Sequence, residues 1–494
     1  MTAEPTLPDN WEWVRLSDIA HIVYGKGLPT KNLTPTGYPV FGANSIIGCY
    51  TEYHYESPQL LISCRGAGSG TINFSPAQCF VTNNSLIVDF YVESEVFRET
   101  YFYFLQAANK EGLVTGSAQP QVTINNAVEL RLPLPPLNEQ HRIVAKIEEL
   151  FSELDKGIES LKTAREQLKV YRQAVLKHAF EGKLTAKWRE ENADKLEPPE
   201  QLLTHIQQER QARYQQQLQD WKAAVKAWEK NGKEGKKPTK PKLKELLELS
   251  REELKQLPDL PTGYFYTYLS NLGELGRGKS KHRPRNDPRL FGGRYPFLQT
   301  GEVKAANRVV DSYSETYSDF GLEQSRLWSK GTLCITIAAN IAETAFLGFD
   351  ACFPDSVVGF TSLENIVLPE YIELFIKAVR VRIEAYAPAT AQKNINLSTL
   401  ENLVVPLCSL EEQRQLIGQL EAQFSAINEN ESEITAALLR SETLRQSILK
   451  KAFSGQLVPQ DTNDEPASIL LERIRTEKAV QSKANSKRPA KQGH

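Results

Sequence analysis

Apolar residues recur at three- and four-residue steps along two stretches of this chain, in a pattern that predicts two long helices. In the first they are Ile143, Ile147, Leu150, Leu154, Ile158, Leu161, Leu168, Tyr171, Val175 and Ala179. In the second they are Leu416, Leu420, Phe424, Ile427, Ile434, Leu438, Leu444, Ile448 and Ala452. Such spacing over about six heptads is that of a coiled coil. The proline before each stretch (Pro133, Pro406) marks a boundary, and Gly182 and Gly455 stand where a helix C-cap is expected.

The two stretches are copies of one another. LPLPPLNEQHRIVAKIEELFSELD returns as VPLCSLEEQRQLIGQLEAQFSAIN at an offset of 273 residues, and RQAVLKHAFEGKLT returns as RQSILKKAFSGQLV at the same offset. Two unrelated amphipathic helices would not share the same Pro, Glu-Gln, Arg, Phe and Gly without a gap. The duplication extends further. LPDNWEWVRLSDI from Leu7 resembles LPTGYFYTYLSNL from Leu260, an offset of 253. Each is followed by a G-x-G (Gly25-Lys26-Gly27, Gly276-Arg277-Gly278) and a Tyr-Pro (Tyr38-Pro39, Tyr295-Pro296). Short β-type runs follow, LLISC and SLIVDF in one half, TLCITIA and SVVGF in the other, then QVTINN and QKNINL ahead of each helix. Gln121, Asn125, Gln392 and Asn396 in these last runs suit structural caps.

The expected fold class is therefore α+β: two paralogous domains separated by two long coiled-coil helices, a pseudo-twofold internal duplication. The boundaries fall at 1–136 for the first domain, 137–184 for the first helix, and 185–258 for a charged helical insert. The second domain spans 259–409, the second helix 410–457, and a partly disordered tail 458–494. In the insert, HIQQERQARYQQQLQDWKAAVKAWEK reads as solvated helix, NGKEGKKPTKPK as a breaker, and LKELLELSREELKQL as a short helix. The tail repeats the start of the insert (EPASILLERIRTEK over EPPEQLLTHIQQER), so it should pack near the N-terminal domain. Residues 481–494 are expected to be disordered.

Composition narrows the function classes. The 494 residues allow three or four domains, and the 40% hydrophobic and 24% charged content is that of an ordinary soluble protein. No run approaches a membrane span, and the start lacks a signal region, which points to a cytoplasmic protein. Six dispersed cysteines without CxxC read as buried thiols rather than zinc ligands. Net charge is −2, so any nucleic-acid contact must come from local patches.

Gly273–Ser280 fits G-x-x-x-x-G-K-S, but Pro284 and Pro288 oppose the helix a phosphate loop requires, so the match reads as accidental. The same stretch holds a basic cluster, Lys279, Lys281, His282, Arg283, Arg285, Arg289 and Arg294 against the single acid Asp287. A loop of this kind suits phosphate and guanine contacts; a solvated basic loop is the plain alternative. In the first domain the analogous candidates are Lys26, Arg65, Asn83 and Asn84. No catalytic or metal-ligating constellation is found, and no [DN]-P-P-[YF].

Two variable α+β domains, each ending in a PL-x-x-L-x-EQ-x-x-[IL] helix, resemble the specificity subunit of type I restriction–modification systems over essentially the whole chain. The resemblance implies a non-catalytic subunit whose two target-recognition domains each read half of a split site in double-stranded DNA. It implies that the helices pair antiparallel as a spacer and dock two modification subunits, the apolar positions Ile143, Ile147, Leu154, Leu161, Leu168, Leu416, Leu420, Ile427, Ile434 and Leu438 serving that role. S-adenosylmethionine would sit on the methyltransferase subunits, and ATP and Mg on restriction (motor–nuclease) subunits; this chain would bind no cofactor or metal. Cys408-Ser409 replace Pro135-Pro136 in the second copy, and the charged insert departs from the pattern. A protein-binding scaffold with two paralogous domains and no DNA is the competing reading.

Overall fold

A computed structural model describes residues 6–116, 119–233, 237–385 and 395–486. The chain divides into two compact units, 1–164 with 433–494, and 165–432. The long helices Leu137–Phe180 and Leu410–Phe453, 44 residues each, contribute one part to each unit. At ~1.5 Å per residue each is about 66 Å long.

The first unit is built on a four-stranded antiparallel sheet in the order Ala20–Tyr24, Ser85–Phe90, Leu60–Ser63, Ile72–Phe74. The runs SLIVDF and LLIS are its two inner strands, almost wholly buried, as continuous apolar runs should be. A smaller sheet, with Tyr38–Phe41 between Ile46–Tyr50 and Phe80–Val81, carries the first Tyr-Pro. Helix Glu95–Ala107, N-capped by Ser94, buries Phe97, Tyr101 and Phe104. This core also takes in Ile143 and Ile147 from the first long helix and Ile448, Leu449 and Ala452 from the second.

The second unit repeats the plan. Its five-stranded sheet runs Gly273–Arg277, Val357–Ser362, Leu333–Thr336, Thr344–Leu347, Val309–Val310; the first four match the first unit's strands in order, and the fifth, parallel strand is an addition. Helix Pro369–Ala385 buries Tyr371, Phe375 and Ile376 against Val175, Leu176, Ala179, Leu416 and Leu420 of the long helices. Asn396 N-caps a short helix as expected of a cap; in the first unit Thr123, rather than Asn125, holds that place. Gln392 lies outside the described residues.

Within each unit the helix segments run antiparallel and carry the same clamp. In the second unit Arg172 donates to Asn428 Oδ1 (2.6 Å) and lies over the Phe424 ring at 5.2 Å. In the first, Arg445 donates to Asp155 and lies over Phe151 at 4.3 Å. These clamps correct the apolar seam. With an arginine turned inward at 172 and 445, the neighbouring Tyr171 and Leu444, about 100° further round the helix, are half or more exposed rather than in the seam. Of the ten spacer positions, Ile143, Ile147, Leu416, Leu420, Ile427 and Ile434 are buried, and Leu154, Leu161, Leu168 and Leu438 half-buried.

Gly182 and Gly455 have left-handed φ (+69° and +71°) just past their helices, and a Cβ on either would strike Pro261 or Pro8 at 2.5 Å. They are the C-caps the spacing implies.

The insert forms helix Pro199–Lys230. It caps the second unit, Leu202 and Ile206 buried and Arg210 donating to the Ser270 carbonyl at 3.0 Å. Helix Ala467–Ser486 does the same for the first unit, with Ile474 buried and Lys478 donating to the Ser17 carbonyl at 2.8 Å. The tail thus packs on the N-terminal domain as the repeat implied. Its helix runs to Ser486, correcting the expectation of disorder from 481; residues 487–494 lie outside the described residues. The expected helix at Leu243–Leu257 is also corrected, since only Arg251–Lys255 is helical. Residues 237–250 form an extended strap instead. Its backbone is held by side chains, Asn271 bonding both the N–H and C=O of Leu247, Arg210 the carbonyl of Lys244, and Trp221 that of Pro238. Those bonds replace the helical ones, and propensity loses to them.

Candidate nucleic-acid interface

The repeated Glu-Gln at the start of each long helix is a structural junction. Gln140 Nε2 donates to the Pro135 carbonyl and Gln413 Nε2 to the Cys408 carbonyl, both at 2.9 Å, tying the incoming strand to the helix. Tyr101 and Tyr371 donate to the Pro133 and Pro406 carbonyls. Glu139 and Glu412 are fully buried. Glu139 accepts from Trp11 Nε1 (2.8 Å) and Gln460; Glu412 accepts from Tyr264 Oη (2.9 Å), Thr185 and Arg189. Sequence reading recognised the motif and missed this role, although Trp11 and Tyr264 lie at the same 253 offset as the segments that contain them.

The two carboxylates differ in charge balance. Arg189 forms a buried ion pair with Glu412, whereas Arg142, the cation near Glu139, is paired with Asp464 (2.7 Å). Burial pushes the Glu139 carboxyl above the usual glutamate range, opposed by its bonds from Trp11 and Gln460 and by Arg142. A carboxyl raised on folding stabilises the native state at low pH and loses that contribution as pH rises through its folded value. Glu139→Gln therefore flattens the decline of the first unit's denaturation midpoint from about pH 4.5 upward; an unchanged slope relative to the parent rejects the assignment.

The candidate DNA-contacting residues of the first domain gather at one end of its sheet. Strands Ala20–Tyr24 and Leu60–Ser63 end there, and Ser85–Phe90 begins there. Lys26 N–H donates to the Val81 carbonyl, Asn83 N–H to that of Lys26, and Cys64 N–H to that of Asn84; Arg65 follows Cys64 and bridges Gln121. Lys26 and Arg65 are exposed, Asn83 and Asn84 half-buried.

The corresponding end of the second sheet corrects the G-x-G pairing. Gly25 N–H donates to the Ser85 carbonyl where Gly278 N–H donates to that of Val357, and Lys26 N–H to Val81 where Lys279 N–H donates to Phe353. Gly25 thus matches Gly278, and Lys26 matches Lys279, at the offset of 253 found for the N-terminal segments rather than two residues short of it. Both glycines lie against backbone, an added Cβ meeting a carbonyl oxygen at 2.2 Å. Gly273–Arg277 is an edge strand and a loop follows Ser280, so the phosphate-loop match is accidental.

The basic loop is less free than its composition suggests. His282 Nε2 lies 2.7 Å from Asp287 Oδ2, and Arg289 also pairs with Asp287 at 2.7 Å. The Arg289 side chain and backbone N–H, with His282, hold the Asp287 carboxyl well below the usual range, so it stays charged. Arg285 pairs with Asp355 (3.1 Å), Arg294 with Asp319 (3.6 Å), and Arg283 donates to the carbonyls of Ser280 and His282. Lys279 and Lys281 are exposed and make no ion pair among the described residues. Arg277, which sequence reading passed over, is exposed at the same sheet end and donates to the Asp355 carbonyl at 2.9 Å.

Among the described residues no group of three His, Cys, Asp or Glu could hold a metal, and no helix is long and apolar enough to cross a membrane. The six cysteines are free; five are buried and Cys49 is half-buried.

The model of the type I restriction modification DNA specificity domain matches this chain twice, over residues 8–164 and 268–440. The chain belongs to that family. Each match covers one copy of the duplicated domain with part of its long helix. Among curated relatives, the type I restriction enzyme EcoBI specificity subunit of Escherichia coli is 22% identical over 96% of this chain and 94% of its own length. The EcoKI specificity subunit of Escherichia coli strain K12 is 24% identical over 71% of this chain and 64% of its own. The fold is shared with a chain from a structure of type I R-M complex assembly (TM-score 0.61, 17% identity, 92% of this chain, 100% of that one). It is also shared with the HsdS subunit from Thermoanaerobacter tengcongensis (TM-score 0.50, 17% identity, the same shares). Family membership makes the selection of DNA, rather than catalysis, the part this specificity chain plays.

Proposed function

We propose that this chain recognises a split DNA site, each globular domain selecting one half through the loops at a single end of its sheet. The observation that carries the reading is the matched pair Lys26 and Lys279, exposed at equivalent places in two domains that both match a DNA specificity family. Exposed lysines beside half-buried Asn83 and Asn84 suit a surface where cations meet phosphate and amides reach base edges. Lys281, His282, Arg283 and Arg285 belong to the second domain's surface, with Arg285 and His282 placed by their acids.

The long helices hold the half-sites at a fixed spacing and dock two modification subunits. The exposed Val170, Tyr171, Leu439 and Leu444 support protein contact along them. In the complete assembly those subunits carry S-adenosylmethionine and methylate adenine, and restriction subunits use ATP and Mg. A DNA-directed role places the chain in the cytoplasm.

Lys26→Ala and Lys279→Ala test the reading in the assembled modification complex. Each removes one phosphate contact, so each reduces the slope of log affinity against log salt by about 0.9. Each also weakens binding without changing the bases selected. Unchanged slopes and affinities for both variants contradict the proposed surface.

A further inference from the structure

Among the described residues of the first globular domain, the exposed large apolar side chains are Tyr24, Ile46 and Ile47. All three lie at the same sheet end as Lys26 and Arg65. Tyr24 is the last residue of its strand. Ile46 and Ile47 begin the strand Ile46–Tyr50, and the turn before them is anchored to that end. Ser63 Oγ donates to Asn44 Oδ1 at 2.5 Å, and Ser85 Oγ to the Gly42 carbonyl at 2.8 Å. Gly68, in the loop that carries Arg65, leaves room for Asn44, whose Nδ2 would stand 2.1 Å from an added Cβ.

Adjacent residues of a regular strand point to opposite faces, so one isoleucine of such a pair would ordinarily be covered. Here the register shifts between Val40 and Phe41, with Phe41 opposite Ile46 and Val40 opposite Gly48, which leaves Ile47 as the extra residue. The bulge re-aims a side chain, and Ile46 and Ile47 are 53% and 47% exposed. An aliphatic pair held on a fixed turn at the same sheet end as exposed cations suits a surface that is anionic at its edges and apolar within. The major groove at an A·T pair is one, because thymine presents its C5-methyl there.

We propose that Ile46 and Ile47 read the C5-methyl of thymine in the half-site selected by the first domain. The inference rests on the split-site reading above and adds a base class to it. Among the described residues the second domain has no such pair at its matching sheet end; its exposed Val309, Tyr313, Leu327 and Val381 are dispersed along its sequence.

The test uses the full chain assembled with its modification subunits. Selection from random duplex DNA first gives the two half-sites. Affinities are then measured on DNA in which each thymine is replaced in turn by uracil, which keeps base pairing and removes only the methyl. The parent complex loses about fourfold at one or more positions of the first half-site. Ile46→Ala/Ile47→Ala binds thymine and uracil there equally, Ile46→Val/Ile47→Val restores the difference, and the response to changes in the second half-site stays that of the parent, which reports an intact fold. A parent indifferent to uracil throughout the first half-site, or an alanine variant that keeps the full uracil loss, overturns the proposal while leaving the split-site reading standing. Failure to enrich any split site overturns that reading instead.

Discussion

Glu412→Ala destabilises the second unit by roughly 3–5 kcal/mol, because it leaves the Arg189 guanidinium buried without its counter-charge. In a unit of this size that lowers Tm by about 10 °C. The hydroxyls of Tyr264 and Thr185 lose their acceptor in the same step. Replacing both partners, Glu412→Leu with Arg189→Met, recovers most of the loss, since the cost lies in the orphaned charge more than in the missing attraction. Chemical denaturation of the parent and the two variants measures this. A single-variant loss below about 1 kcal/mol contradicts the junction described here.

The second large effect is on DNA. Four residues inserted after Thr163, with four more after Ala436 to keep the antiparallel register, add about one turn and 6 Å to each helix. The apolar stripe is approximately kept, because four residues rotate it by about 40°. The non-specific gap between half-sites should widen by about two base pairs, at ~3.4 Å each, with the bases read unchanged. Altered half-sites at constant spacing reject the helices as a ruler.

Much of this was legible because the chain compares with itself. A repeat at 273 residues located both helices, and their apolar stripes gave the buried Ile143, Ile147, Leu416 and Leu420. What periodicity could not show is which side chain at the margin turns inward. Arg172 and Arg445 place aliphatic stems and planar guanidinium groups against Phe424 and Phe151, and Tyr171 and Leu444 rotate outward. Hydrophobicity ranks these residues the wrong way round, because an arginine stacked on a ring is only partly desolvated.

The sheet end where the proposed recognition surface lies was legible by residue type and less so by register. Lys26, Arg65, Asn83 and Asn84 are separated in sequence and meet only because antiparallel strands bring alternate loops to one sheet end. The pairing of Lys26 with Lys279 was hidden by a decoy, since Gly276-Arg277-Gly278 repeats the G-x-G lettering two residues from the true match. Net charge in the basic loop was misleading for another reason. Asp355 and Asp319 are distant in sequence and adjacent in space, and they neutralise Arg285 and Arg294. The strap at 237–250 defeated propensity through Asn271, Arg210 and Trp221, whose hydrogen bonds to its backbone no local window contains.

The claim on which the account stands is that two dissimilar domains each select their own half of one site. Methylome sequencing of cells that express this chain with its modification partners measures it directly. The result expected is a single split motif, two short specified halves separated by a constant unspecified gap. A continuous motif, a motif with one specified half, or methylation without sequence preference would contradict it.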